Sequence, residues 1–195
     1  MKILKNLPVR SMMPYKSSVT DVRHVALVQE VQIALSSWIS NNIGWKVPGV
    51  LIGGLAMSFY AKPRTTENVD LLFLSDKNIP GADQEPGFTR YRPGAFRENR
   101  THVDIEITHP RSFASLPLQT VRKVYVTAVV HGELRVASLE GMIALKLISA
   151  EAPGRKMKDL ADVVQLLLKD PGADMKDWDL TENQERLLEE CRKDV

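Results

Sequence analysis

The sequence predicts an α+β (α/β) domain in which a mixed β-sheet is flanked by helices and a helical part closes the C-terminus. Three observations carry this. Short apolar, β-branched blocks recur at 47–52, 69–74 and 102–108, each bounded by Gly, Pro or polar residues. A helical apolar stripe precedes them. Three further helical stretches follow residue 138, separated by Pro153-Gly154 and Pro171-Gly172.

Taken in order, residues 1–17 have no clear period and contain Pro8 and Pro14, which reads as an irregular arm. Thr20 or Asp21 can cap a helix carrying Val25, Val28, Ile33, Leu35, Trp38 and Ile39, which Gly44 ends. Residues 47–52 read as a buried strand running into the tight turn Gly53-Gly54, and Leu55–Ala61 as a short helix broken at Lys62-Pro63. Residues 69–74 are a second apolar strand, and 76–87 a Pro- and Gly-rich loop. Residues 88–91 and 95–98 flank Pro93-Gly94 as a hairpin. The run His102-Val-Asp-Ile-Glu-Ile-Thr108 alternates with the period of a half-buried strand. Residues 110–123 are mixed, with room for a short helix. Tyr125–Val130 and Glu133–Val136 read as two more strands around His131-Gly132. Ser138 then caps a helix over 139–150, a second helix covers 157–168, and Thr181 caps a last amphipathic one. The expected division is a core over residues 1–136 and a helical part over 137–195.

The 195 residues are 44% hydrophobic and 26% charged, which excludes wholesale disorder and collagen-like architecture. The net charge of +2 hides an asymmetry: residues 1–169 carry 22 basic and 15 acidic side chains, residues 170–195 carry 4 and 9. A basic body permits a polyanionic partner, and a solvated surface accounts for it as well. One cysteine, Cys191, excludes a disulfide framework and a Cys-rich zinc site. The longest charge-free windows are 15 residues, short of the roughly 20 a membrane helix needs. The N-terminus is a poor signal peptide, so the expectation is a cytoplasmic protein with no membrane partner.

Three pieces carry chemistry. In Leu51-Ile52-Gly53-Gly54-Leu55-Ala56, a strand runs into glycines and then a helix. Glycine lets backbone approach a phosphate, although Gly-Gly before a helix is also an ordinary tight turn. In Arg64-Thr65-Thr66-Glu67-Asn68-Val69-Asp70, positions 68 and 70 share one strand face and Glu67 has the opposite parity. In Val103-Asp104-Ile105-Glu106-Ile107, two carboxylates share a face. They repel unless a cation or solvent relieves them, and the outer face of an antiparallel strand alternates in the same way. Acidic pairs on such a face are the donors that hold a divalent ion over a triphosphate.

Together these motifs resemble the minimal nucleotidyltransferase fold, and more closely the AbiEii-type (AbiEii/AbiGii) nucleotidyltransferase toxins. The likeness covers about residues 45–170. It continues downstream through a helical Lys146 and through Lys158-Asp159-Leu160-Ala161-Asp162-Val163. The resemblance implies transfer of a nucleotide from an NTP to an acceptor, such as RNA or tRNA, with toxin-like action and an antitoxin-like protein partner. It also implies catalytic roles for Asp70, Asp104, Lys146 and Asp162, and nucleotide contacts from Gly53, Gly54, Arg64, Thr66 and Lys146. Mg²⁺ would be held by Asp70, Asp104, Asn68 and Glu106, weakly, because Asn68 stands where the family has its first metal carboxylate. The alternative it leaves open is a catalytically degenerate nucleotide- or RNA-binding protein. Read from the residues alone, Lys146 snorkels from an apolar helix, and Lys158 and Asp162 make an i,i+4 pair. Arg90, Arg92, Arg97, Arg100 and Arg111 form either a phosphate surface or a solubilising hairpin.

Overall fold

A computed structural model describes residues 22–41, 49–61, 66–79, 86–110 and 116–195. The cap at 20–21, the start of the first strand at 47–48, Arg64 and Arg111 lie outside these residues.

Helix α1 (Val22–Asn41) leads into strand β1 (Val50–Ile52) and the short helix α2 (Gly53–Met57). Strand β2 (Asn68–Leu72) is followed by the hairpin β3 (Phe88–Arg92) and β4 (Ala95–Glu98), then β5 (Asp104–Thr108). Helix α3 (Leu118–Thr127) precedes a second hairpin, β6 (Val129–His131) and β7 (Leu134–Val136). Helices α4 (Leu139–Ala150), α5 (Lys156–Lys169) and α6 (Glu182–Arg192) follow. The seven strands form one sheet in the order β3-β4-β5-β2-β1-β7-β6. It is mixed: β2–β5 and β1–β7 are parallel, and the other pairs are antiparallel. The three apolar blocks therefore lie side by side as β1, β2 and β5.

Alternation sets the two faces. Val69, Leu71, Ile105 and Ile107 are buried, while Asn68, Asp70, Asp104 and Glu106 between them are half-buried. Leu51 and Phe96 share the apolar side through their register with Leu71 and Ile105. Trp38 of α1 packs edge-on against Phe88 at 5.3 Å and tilted against Phe96 at 5.2 Å. Val31, Ala34 and Leu35 are buried with it, whereas Ile33, expected in that stripe, is 43% exposed.

Two elements differ from the sequence reading. Residues 125–127 are the last turn of α3, and the strand begins only at Val129. Val121, Val124 and Tyr125 are buried at helical spacing, so tertiary packing overrides the β-leaning composition of Tyr125–Val130. Helix α2 also starts at Gly53 rather than beyond the glycine pair.

The C-terminal helices start where their caps place them. Ser138 accepts from the Gly141 amide, and Thr181 and Gln184 form a reciprocal capping box. Leu187 and Leu188 seat α6. One hydrophobic cluster runs from α1 through the sheet to α6. Among the described residues, no helix is long and apolar enough to cross a membrane.

Candidate functional site

The polar face of β2 and β5 is built in rows. Parallel pairing sets Asn68 beside Asp104 and Asp70 beside Glu106. Antiparallel pairing sets Arg97 on the far side of Asp104 and Ala95 on the far side of Glu106. The rows read Arg97–Asp104–Asn68 and Ala95–Glu106–Asp70–Ile52, with neighbouring strands about 4.8 Å apart. The sheet thus brings Asn68, Asp70, Asp104 and Glu106 to one surface.

Asp70 packs against the glycine turn. Its carboxylate accepts from the Gly54 amide, and its Oδ1 accepts from Asn68 Nδ2 at 3.0 Å. Gly53, with φ +68°, makes room for it: a Cβ there would fall 2.0 Å from Asp70 Oδ2. Burial, reinforced by the nearby charge of Glu106, pushes the Asp70 carboxyl up to about 6, and Lys146 and Arg155 pull the other way. Thr66 lies alongside, its hydroxyl donating to the Asn68 carbonyl at 3.2 Å.

Asp104 and Glu106 each have an arginine. Arg97 grips Asp104 through two hydrogen bonds, Nε to Oδ1 at 2.7 Å and Nη2 to Oδ2 at 3.1 Å. Tyr91 donates to Asp104 Oδ2 at 2.9 Å, and the Arg97 guanidinium sits 5.0 Å from the Tyr91 ring centroid. The Arg97 hydrogen bonds hold the Asp104 carboxyl below its ordinary value, against its partial burial. Arg92 Nη2 donates to Glu106 Oε1 at 2.8 Å. The sequence leaves these arginines as either a phosphate surface or a solubilising hairpin and does not pair them with the acids. The signal available was the hairpin itself, in which Arg97 and Asp104 face each other across the turn at 99–102.

Lys146 belongs to a different environment. It is buried on α4, with its ammonium 2.8 Å from Asp159 Oδ1 and 2.6 Å from Asp162 Oδ2, both on α5. Arg155 Nε reaches Asp159 Oδ2 at 3.2 Å. Burial of Asp159 opposes its ionisation, but the Lys146 hydrogen bond outweighs that and keeps its carboxyl below the usual range. Asp162, which the residues alone pair with Lys158 along the helix and the resemblance makes catalytic, thus turns inward to Lys146. The field of Lys146 reaches Asp70, so the two clusters are electrostatic neighbours.

A nucleotidyltransferase-like protein of Paracoccidioides brasiliensis, described as antigenic, has a similar structure. The TM-score is 0.57 at 18% identity, over 85% of this chain and 88% of that one. The fold is nucleotidyltransferase-like. Two further solved structures are more distant. ANT(2″)-Ia in complex with adenylyl-2″-tobramycin has a TM-score of 0.48 at 15% identity, over 86% of this chain and 98% of its own. JHP933 from Helicobacter pylori has 0.41 at 12%, over 90% and 94%. No protein-family profile and no curated protein matches the sequence.

Nucleotidyltransferase chemistry implies a divalent ion, and the donors on the acidic face do not fit one. A hard cation takes carboxylate oxygens with a strong negative field. Here Asn68 is neutral and donates its amide to the neighbouring carboxylate, both oxygens of Asp104 are held by Arg97, and Glu106 is held by Arg92. Among the described residues, no group of three or more His, Cys, Asp or Glu is disposed to hold a metal. A cavity of about 730 Å³ lies elsewhere, between α1 and the apolar side of the sheet, walled by Ser36, Leu51, Leu55, Phe59 and Leu134. It shares no residue with the acidic face.

Proposed function

We propose that this chain binds a nucleotide on the polar face of its nucleotidyltransferase-like sheet and does not transfer it. The observation that carries this reading is Asn68. Metal-assisted transfer needs carboxylates that clamp a divalent ion against the triphosphate and neutralise charge as it develops. The residue beside Asp70 on that face is instead a neutral amide that donates a hydrogen bond to it. What the face retains is a half-buried carboxylate, a glycine turn that packs against it and donates the Gly54 amide to it, and the electrostatic reach of Lys146 and Arg155. These can orient a polar ligand without activating an acceptor hydroxyl. An RNA or tRNA acceptor presupposes a transfer step and falls with it.

The alternative is active transfer from an NTP, favoured by the shared face of Asp70, Asp104 and Glu106. Equilibrium binding of the four NTPs, read beside pyrophosphate release in Mg²⁺ with total tRNA supplied as acceptor, separates the two. The expected result is saturable binding of at least one nucleotide with no release above the protein-free blank. Pyrophosphate released by the wild type and lost in Asp70→Asn would establish transfer. Failure to bind any of the four would sink both readings.

A further inference from the structure

The row Arg97–Asp104–Asn68 holds more than a missing carboxylate. Asp104 is flanked in the sheet by Arg97 on one side and by Asn68 on the other. Restoring a negative charge at position 68 would give a row with two acids and one arginine, still partly neutralised from within. Arg97 matches Asp104 as a planar fork, the strong bidentate form of this contact. Tyr91 fastens both partners, its hydroxyl to Asp104 and its ring under the guanidinium. One row away, Arg92 does the same for Glu106 with a single hydrogen bond, and it also lies over the Tyr91 ring at 5.6 Å. The two changes that disfavour a divalent ion therefore come from independent strands, Asn68 from β2 and Arg97 from β4.

We propose that the guanidinium of Arg97 is this chain's resident substitute for a divalent ion on the acidic face, and that Asn68 is the lesser of two blocks. The inference rests on the nucleotide-binding reading and deepens it: the face works with fixed cations of the protein instead of an exchangeable one. A divalent ion arriving at Asp104 must displace a guanidinium held by two hydrogen bonds, and it meets Arg92 beside it. The charge at position 68 changes neither obstacle. Nucleotide affinity should accordingly be the same in EDTA as in Mg²⁺.

The test is Mn²⁺ titration followed by electron paramagnetic resonance of the free ion. The proteins compared are the wild type, Asn68→Asp, Arg97→Gln, and the double variant Asn68→Asp/Arg97→Gln. Wild type and Asn68→Asp should bind Mn²⁺ weakly and alike. The double variant should bind about 10–100-fold more tightly, the range over which supporting residues tune metal sites, and adding Asp104→Asn should abolish the gain. Arg97 is about half exposed, so its loss should leave the fold intact; thermal melts verify this, and Arg97→Met replaces the glutamine variant if needed. Equal tightening by Asn68→Asp alone would make position 68 the sole block and overturn the inference, while leaving the nucleotide-binding reading in place. A folded double variant with no gain, or tight Mn²⁺ binding by the wild type, would also overturn it. Pyrophosphate release tests the underlying reading separately and does not depend on these titrations.

Discussion

Two clusters of charge lie close together in this molecule and obey different physics. On the sheet, Arg97–Asp104 and Arg92–Glu106 are solvent-facing pairs whose arginines are about half exposed. Between α4 and α5, Lys146, Asp159 and Asp162 are sealed, with side-chain exposures of 7%, 0% and 8%. Exposed pairs contribute little to stability because water and salt compete for both partners. Sealed charges are costly to leave alone, because nothing replaces the lost partner. The first cluster can thus be edited to change what the surface binds. The second holds two helices in register, and removing one member strands the others.

The contrast is broken most sharply at Lys146. Lys146→Ala should cost about 3–5 kcal/mol in urea unfolding, since it leaves Asp159 and Asp162 buried without their ammonium. Pairing Lys146→Met with Asp159→Asn and Asp162→Asn should recover most of that loss. A cost below about 1 kcal/mol for the single variant would show that water reaches the triad and that the two clusters are alike.

Next in size is Gly53→Ala. The added methyl would meet Asp70 Oδ2 at 2.0 Å on a backbone already at φ +68°. A loss of about 1–3 kcal/mol is expected from strain at a left-handed position alone. A melting temperature within error of wild type would mean that Asp70 is free to move aside.

Asp70 sets the third expectation, and its sign differs from that of a paired surface acid. Its folded carboxyl is raised to about 6 from an ordinary 3.8, so the folded state binds the proton more tightly than the unfolded one. Stability should therefore fall as pH rises from about 4 to about 6 and stay reduced above that. Asp70→Asn should raise stability by about 1–3 kcal/mol at pH 8, and the advantage should vanish near pH 4. Parallel denaturation curves at the two pH values check this; an equal effect at both would refute the burial argument.

The smallest effect is expected at Arg97. Arg97→Gln should change stability by less than about 1 kcal/mol, as an exposed pair does, and the change should shrink further in high salt. A larger, salt-insensitive loss would place this pair with the sealed cluster.

What the sequence showed followed from periodicity. Asn68 and Asp70 could be assigned to one face of their strand, and Asp104 and Glu106 to one face of theirs, because a strand alternates every residue and their neighbours Val69, Ile105 and Ile107 are apolar; that the two pairs share a surface came from the β2–β5 pairing. Ser138 and Thr181 announced their helices because capping is local chemistry. The run Tyr125–Val130 misled because its aromatic and β-branched residues suit a strand, while burial of Val121, Val124 and Tyr125 on one helical side decided otherwise. The arginine partners were out of reach for a further reason: which acid Arg97 meets depends on the register of β4 against β5. Lys146 meeting Asp159 and Asp162 depends on how two helices pack. Neither is a property of a single segment.

The turn that sets the β4–β5 register has a consequence in time. Buried Glu98 accepts from the Arg100 and Thr101 amides and from the Thr101 hydroxyl, and His102 adopts φ 59° to close the turn. Arg97 and Asp104 are only seven positions apart, so this hairpin can assemble on the microsecond scale of local β-structure. The parallel pairing of β2 with β5 joins residues 36 positions apart and must await closure of that long loop. Asp104 should thus already be clasped by its arginine when the second carboxylate strand arrives. The folding chain would then never bring two bare acidic strands together, so its refolding rate should be indifferent to divalent ions.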